Sequence, residues 1–336
     1  MDKTAVVILN YNGRKHLTDF LPSVINNSPD ATIYVADNAS TDDSLAILKN
    51  NFSSVKIIEL SENHGFAQGY NEALEQIKDQ YDYYVLLNSD VEVTPNWISP
   101  IITLMESNIN IAACQPKILS YHQKTHFEYA GAAGGFIDRL GYPFCRGRIF
   151  LSLEEDLGQY NDTREVFWAT GACMFVRAEV FHKLEGFDGD FFAHMEEIDL
   201  CWRMKHANYQ VFVCGESEVY HVGGGTLHKS NPHKTFLNFR NGLVMLYKNH
   251  PDKRLFRTLL TRLILDGVAG VKFLFFDSWE DCWAVARAHF NFYFHFRIWH
   301  KKRQKIQKRD NLGQTFRRNI VWQYFVEGKE RFDEMR

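Results

Sequence analysis

Three carboxylates within four positions, Glu196, Glu197 and Asp199, follow the glycine-containing turn formed by residues 186–190. The first turn of a helix suits negative charge, because its unpaired N–H groups and the macrodipole both favour it. A helix beginning near Met195 puts Glu196, Asp199 and Arg203 on one face, with Glu197 roughly 100° around. A carboxylate held there can serve as a general base near neutral pH. An acidic first turn that only caps its helix fits the same stretch, so the rest of the chain must decide. Upstream, Asp37–Asp42 offers carboxylate, amide and hydroxyl groups suited to a base or ribose edge, or to a polar turn. Asn88, Ser89 and Asp90 end an apolar run where a hard divalent cation bridging phosphates can be held. His221, ahead of Gly223, Gly224 and Gly225, adds an imidazole that suits Mn²⁺ as well as Mg²⁺. Arg203 and Arg240 are candidates to neutralise a diphosphate, or are ordinary ion-paired arginines.

The elements that must position these groups follow from the apolar pattern. Residues 4–9, 33–36, 55–60 and 83–87 read as strands, and 15–27 and 44–50 as helices, with 65–77 a loop entering a third helix. Alternation at this spacing predicts a parallel sheet covered on both faces, with ligands outside the carboxyl ends of its strands. Polar clusters stand at those ends: 10–12, 37–42 and 88–90. Further on, 97–106 reads as a helix, 111–119 as a strand, 166–177 as strand around Gly171, and 211–213 as a short strand. A turn at 221–226 follows, and a helix through Asn238 and Arg240 to about Asn249. Residues 121–161, rich in glycine, give no pattern.

The 336 residues are 45% hydrophobic and 24% charged, a globular composition with room for one large domain or two ordinary ones. Six scattered cysteines form no C-x-x-C pair and no zinc or disulfide framework, so a reducing, cytoplasmic setting is expected. The N-terminus lacks the flanks of a signal peptide, and no 18-residue apolar stretch predicts a membrane span. The first strand is followed by neither G-x-G-x-x-G nor a P-loop, which argues against a dinucleotide enzyme.

Taken in order, Val7-Ile8-Leu9-Asn10-Tyr11-Asn12, Asp37-Asn38-Ala39-Ser40-Thr41-Asp42, Glu62-Asn63-His64-Gly65-Phe66-Ala67 and Leu87-Asn88-Ser89-Asp90 resemble the family 2 glycosyltransferases. So do Gly171-Ala172-Cys173-Met174, Gly186-Phe187-Asp188 and the run from Glu196 to Arg203, with rhamnosyltransferase-type members the nearest in flavour. The resemblance covers roughly residues 4–250. It implies a GT-A fold, with a mixed, mostly parallel sheet flanked by helices, and Mg²⁺ or Mn²⁺ as cofactor. It also implies inverting displacement on a UDP-, dTDP- or GDP-linked sugar donor, toward a glycan or lipid-linked acceptor in bacterial surface-polysaccharide synthesis.

Carried over by position, Asp37 matches the nucleotide-binding acid and Asp90 the metal-ligating end of D-x-D. Asn88 replaces the first acid, which leaves His221 as a second metal ligand. Asn10, Tyr11, Asn12, Asn38, Asn71, Asn88, Ser89, Arg203 and Arg240 fall on the donor side, and Trp168, Thr170 and Gly171 on the acceptor side. The base position holds Glu197 where the family has Asp, so the base is Glu197 or its neighbour Glu196, with Asp199 orienting it or meeting the acceptor. The rival readings are a sugar-nucleotide nucleotidyltransferase and a non-catalytic carbohydrate-binding scaffold. The first usually carries a glycine-rich basic loop after the first strand, and Asn10–Arg14 has too little glycine for it.

Residues 1–250 are thus expected to be the catalytic domain and 251–336 a basic, aromatic extension. The extension carries 18 Lys+Arg against 10 Asp+Glu, a balance of +8, leaving −11 for the first 250 residues of a chain at −3. No nucleic-acid partner is expected. Leu255, Leu259, Leu263 and Val271 lie with Phe256, Leu260, Ile264 and Val268 in a stripe at helical spacing, and phenylalanines alternate from Phe290 to Phe296. An edge strand or an interfacial helix fits that alternation. Basic residues beside aromatics favour a peripheral site on the anionic inner face of the cell membrane over packing against the catalytic domain or a second subunit in a homodimer.

Overall fold

The computed structural model describes residues 3–223, 231–276, 278–310 and 312–335. Gly224, Gly225 and Thr226, the end of the turn expected after His221, lie outside the described residues. The first half alternates strand and helix: β1 (Thr4–Asn10), α1 (Arg14–Asn27), β2 (Ala31–Asp37), α2 (Ser44–Asn51), β3 (Lys56–Glu59), α3 (Gly65–Gln76) and β4 (Tyr83–Asn88). Then come β5 (Val91–Val93), α4 (Ser99–Ser107) and β6 (Ile111–Ser120). The stretch without a sequence pattern holds four short strands, β7 (Gly135–Asp138), β8 (Pro143–Cys145), β9 (Arg148–Ile149) and β10 (Ser152–Leu153). The chain continues through β11 (Thr163–Val166), β12 (Cys173–Arg177), α5 (Ala178–Lys183), α6 (Glu196–His206), β13 (Gln210–His221) and α7 (Pro232–Asn249). It ends in α8 (Leu255–Phe276), α9 (Trp279–Phe294), α10 (Phe296–Lys305), β14 (Thr315–Phe316) and α11 (Ile320–Phe325).

The main sheet runs β11-β13-β6-β12-β4-β1-β2-β3, with β5 on β13. Its β4-β1-β2-β3 half is parallel, while β12 runs antiparallel to both β4 and β6. Successive strand residues point to opposite faces. Val6 and Ile8 therefore join Leu17, Leu48 and Met105 under α1, α2 and α4. Ala5 and Val7 join Tyr70, Phe181 and Leu200 under α3, α5 and α6. Both faces are covered, as the continuous apolar runs require. In register, Asn10 lies opposite Asp37 and Leu9 opposite Asn88, so the polar ends of β1, β2 and β4 form one edge.

The segment after residue 250 is tied to the rest of the chain. β14 pairs with β7 and completes a five-stranded second sheet. Tyr247 of α7 packs its ring 5.8 Å from that of Phe292 in α9, and Lys302 of α10 ion-pairs with Asp190 at 2.6 Å. The alternating phenylalanines are helical, spanning the end of α9 and the start of α10. Among the described residues no helix is long and apolar enough to cross a membrane.

Candidate active site

The donor-side edge is built from loops that hold one another. Asn10 is fully buried, and its Nδ2 donates to Asp37 Oδ1 at 2.9 Å and to Ser40 Oγ at 3.1 Å. Ser40 N donates to the other Asp37 oxygen, and Asn12 Oδ1 accepts from Thr41 N at 2.7 Å. This closes a polar cup with Tyr11 half exposed on its rim. Asn38 serves a different end from the one expected. Its Nδ2 donates to Asn63 Oδ1 and Gly65 O and its Oδ1 accepts from His64 N, so it is buried as a brace between loops. Asn71 is also a brace, exchanging two 2.9 Å hydrogen bonds with the backbone of Phe187.

At the end of β4 a buried triad forms. The antiparallel pairing of β13 with β5 sets His221 opposite Val91 and so beside Asp90. His221 Nε2 lies 3.1 Å from Asp90 Oδ1 and Nδ1 3.1 Å from Glu128 Oε2, with Asn88 Nδ2 3.4 Å from Nε2. Burial alone would disfavour the imidazolium, but the charge and hydrogen bond of Asp90, then those of Glu128, push the His221 pKa up to about 10. Burial also works against the two carboxylates, yet His221 holds both below their usual range. Glu128 comes from the stretch that gave no sequence pattern.

This donor set fits a hard divalent cation. Asp90 and His221 Nε2 face one point, Glu128 behind the ring orients it as carboxylates do for metal-bound histidines, and a cation can take the place of the Nε2 proton. Among the described residues no three His, Cys, Asp or Glu side chains converge as a complete ligand set. The remaining positions would then fall to water and phosphate oxygens, as is usual for Mg²⁺.

The acidic helix start faces this edge from the other side of β4. Asn88 N donates to Ala172 O at 3.0 Å, which brings the 167–172 turn against the end of β4. A side chain on Gly171 would meet the Phe66 ring at 3.3 Å and reach within 3.9 Å of Glu197 Cβ, so the glycine lets the turn lie close against both. Three non-glycine residues just before the helix, Phe192, His194 and Met195, have φ of 64°, 70° and 73°. L-residues adopt that region only when the surroundings force them. Here α7 supplies the force. Asn241 Nδ2 lies 2.8–3.0 Å from the carbonyls of Phe191, Ala193 and His194. Arg240 NH2 donates to those of Asp190 and Phe191, and Phe192 O accepts from Phe66 N at 2.7 Å.

Glu196 is buried, and one oxygen of each glutamate, Oε2, has no partner among the described residues. Burial first, and then the neighbouring Glu197 charge, push the Glu196 carboxyl well above its ordinary value. Burial raises Glu197 to about 7. Both carboxyls are thus raised, and the pair resists full ionisation.

Asp199, expected to orient the base or meet the acceptor, has no such freedom. It is fully buried and accepts from Arg203 Nε at 2.8 Å and Asn249 Nδ2 at 2.8 Å, with Lys248 Nζ at 3.0 Å. Lys248 also pairs with Asp188 at 2.5 Å, and Lys302 reaches Asp188 from α10. Arg203 belongs to the same network: Nε bonds Asp199, and NH1 and NH2 donate to Leu184 O and Gly186 O, so three of its five N–H groups serve the fold. In Arg240, Nε donates to Asn241 Oδ1 and NH2 to the two loop carbonyls, which leaves NH1 without a partner among the described residues. Trp168 is buried with its Nε1 donated to Phe136 O at 2.8 Å, and Thr170 is buried with its hydroxyl accepting from Ala172 N. Of the three expected acceptor positions only Gly171 lies beside Glu197.

A model of the glycosyl transferase family 2 domain matches residues 5–185, more than half of the chain. An N-acetylglucosaminyl-diphospho-decaprenol L-rhamnosyltransferase of Mycobacterium tuberculosis is 24% identical over 234 residues, covering 66% of this chain and 76% of that protein. The low-salt glycan biosynthesis hexosyltransferase Agl10 of Haloferax volcanii is 22% identical, covering 82% and 86%. Among solved structures, GalNAc-T7 with UDP, GalNAc and Mn²⁺ superposes with a TM-score of 0.57 at 17% identity, over 74% of this chain and 48% of that one. The mannosyltransferase PcManGT of Pyrobaculum calidifontis with GDP-Man and Mn²⁺ gives 0.52 at 13% identity, over 90% and 84%. These likenesses establish the GT-A fold.

The buried charge network yields a stability prediction. Asp199→Ala leaves Lys248 and Arg203 buried without their shared carboxylate and should cost about 3–5 kcal/mol. Urea unfolding measures this, and a loss below about 1 kcal/mol, the scale of a surface ion pair, would show that the network carries no structural load.

Proposed function

The chain belongs to glycosyl transferase family 2, and we propose that it transfers a sugar, with inversion, from a nucleoside-diphosphate donor to a hydroxyl of a glycan or lipid-linked acceptor. The observation that carries this reading is Glu197. It is a carboxylate with a buried, unpartnered oxygen, raised to about 7, beside Gly171 and across β4 from the polar cup of Asn12 and residues 37–42. Glu197 takes the proton of the acceptor hydroxyl as that oxygen attacks the anomeric carbon and the bond to the diphosphate breaks. Such general-base help contributes about 10²–10⁴-fold. Burial and the neighbouring Glu197 push the Glu196 carboxyl up, so the pair offers a single base, as a single displacement needs.

On the donor side, the cup of Asn12 and residues 37–42 frames the nucleoside, with Asn10 fixing the Asp37 carboxylate. Asp90 and His221 would hold Mg²⁺ or Mn²⁺, which would neutralise charge on the diphosphate. The name of the mycobacterial relative supports a rhamnose-like sugar, a lipid-diphosphate acceptor and a part in surface-polysaccharide assembly. The six free cysteines suit the cytoplasm, where such donors are made, with the enzyme peripheral on the inner face of the membrane.

Two outcomes follow. Glu197→Gln should lower transfer by about 10²–10⁴-fold while donor affinity, read by calorimetry, stays near wild type. An inactive Glu196→Gln beside an active Glu197→Gln would reverse the assignment. In a thermal-shift panel of UDP-, dTDP- and GDP-sugars, the melting temperature should rise for the true donor only with Mg²⁺ or Mn²⁺ present, and Asp90→Asn should abolish that rise. An equal rise in chelator would remove the cation from the account.

A further inference from the structure

The helix α8 is built inside out. Its buried residues are Thr258, Arg262, Asp266 and Gly270, four apart along one face, although the sequence stripe is apolar. Arg262 NH1 donates to Leu140 O at 3.1 Å, and Asp266 accepts from Tyr142 OH at 3.1 Å and pairs with His289 of α9 at 3.2 Å. The apolar face points away from the protein: Phe256 is 78% exposed, Ile264 59%, Val268 61% and Phe275 74%. Trp279 and Trp283 of α9 and Trp322 and Phe325 of α11 are more than half or half exposed as well. Lys272 of α8 sits 5.4 Å from the Phe325 ring, which joins α11 to the same face. The alternative in which this stripe packs inward on the catalytic domain does not hold for α8, whose outward face is the apolar one.

At the start of α8 lies a cleft of about 830 Å³ whose charged lining is Arg139, Lys253, Arg254 and Arg257 against Asp138 and Asp310, a net excess of two positive charges. None of the four basic residues has a carboxylate partner among the described residues. The Asp138 carboxylate in the same wall is already taken by the N–H groups of Leu140, Tyr142 and Ile320. Arg139 also borders a second hollow with Arg317 and Arg318.

We propose that this face, made by α8, the start of α9 and α11, docks on an anionic lipid bilayer, with the basic cleft receiving lipid phosphate groups. Polar groups turned inward and apolar groups outward are the arrangement of a helix that faces lipid. No described helix is suited to crossing the bilayer, so α8, about 33 Å long at 1.5 Å per residue, lies along the surface. Tryptophans beside the apolar patch suit the interfacial layer. Charge decides between a bilayer and a second copy of the chain. A two-fold contact sets each patch against itself, which would bring the unpaired cations of two copies together, whereas lipid phosphates complement them. The proposal deepens the membrane placement proposed above by naming the face that docks, and it is separable from the transfer chemistry because none of these residues belongs to the active site.

Co-sedimentation of the full chain with phosphatidylglycerol/phosphatidylcholine vesicles, against phosphatidylcholine alone, tests it. Binding to the anionic vesicles should be at least about tenfold tighter and should weaken with salt. Ile264→Asp with Phe275→Asp should cut binding about tenfold or more on anionic vesicles, and Arg254→Glu with Arg257→Glu should erase the preference for them. Circular dichroism and the donor-induced thermal shift should stay as in the wild type, which separates lost docking from lost folding and from failure of the transferase reading. Wild-type protein that binds neither vesicle would overturn the proposal, as would binding that both double variants leave unchanged. So would a lipid-free dimer, seen by ultracentrifugation, that Ile264→Asp with Phe275→Asp splits.

Discussion

Two carboxylates side by side at a helix start, with water largely shut out, cannot both hold a charge at neutral pH. That constraint acts on Glu196 and Glu197 together: burial and its neighbour's charge push Glu196 well up, and burial raises Glu197, beside Gly171, to about 7. Their placement depends on where the helix begins, and so on the three left-handed residues before it. Such a backbone persists only while its surroundings over-determine it. The amide of Asn241, the guanidinium of Arg240 and the Asp188–Lys248–Asp199 chain of charges do so here.

The basic, aromatic end of the chain thereby takes part in building the catalytic side. Lys302 of α10 clamps Asp188 and Asp190 immediately ahead of the strained loop, and Arg303 bonds to the Tyr247 carbonyl at the end of α7. The same segment turns an apolar face outward through α8 and α11. One stretch of chain thus braces the base helix on its inner side and presents a surface on its outer side.

The sequence discloses the parts whose signals are local. Residues 4–9, 33–36 and 83–87 are unbroken apolar runs ended by turn residues, so the parallel half of the sheet and its polar edge at Asn10, Asp37 and Asn88 are legible in them. The full length of β13 is not, because Glu216, Ser217 and Glu218 interrupt it and its pairing with β6 shifts register between Cys214 and Glu218. Strands β7 to β10 span two to four residues, too few for any period to show. Glu128 and Asn241 act across 93 and about 50 positions and leave no mark beside their partners. Periodicity found the apolar stripe of α8 but holds no information on which way it points. Arg203 and Asp199 show the reverse case, since charged residues near a proposed site look functional in sequence while most of their donors and acceptors serve the fold.

The central claim is that one carboxylate, Glu197, must be ionised for the sugar to move. The pH dependence of kcat/KM for transfer, taken from pH 5 to 9 with the metal saturating, tests it most directly. Glu197, raised by burial to about 7, predicts a rate that climbs tenfold per pH unit through the acid range and levels off above about pH 7. A rate that stays flat down to pH 5 would contradict it.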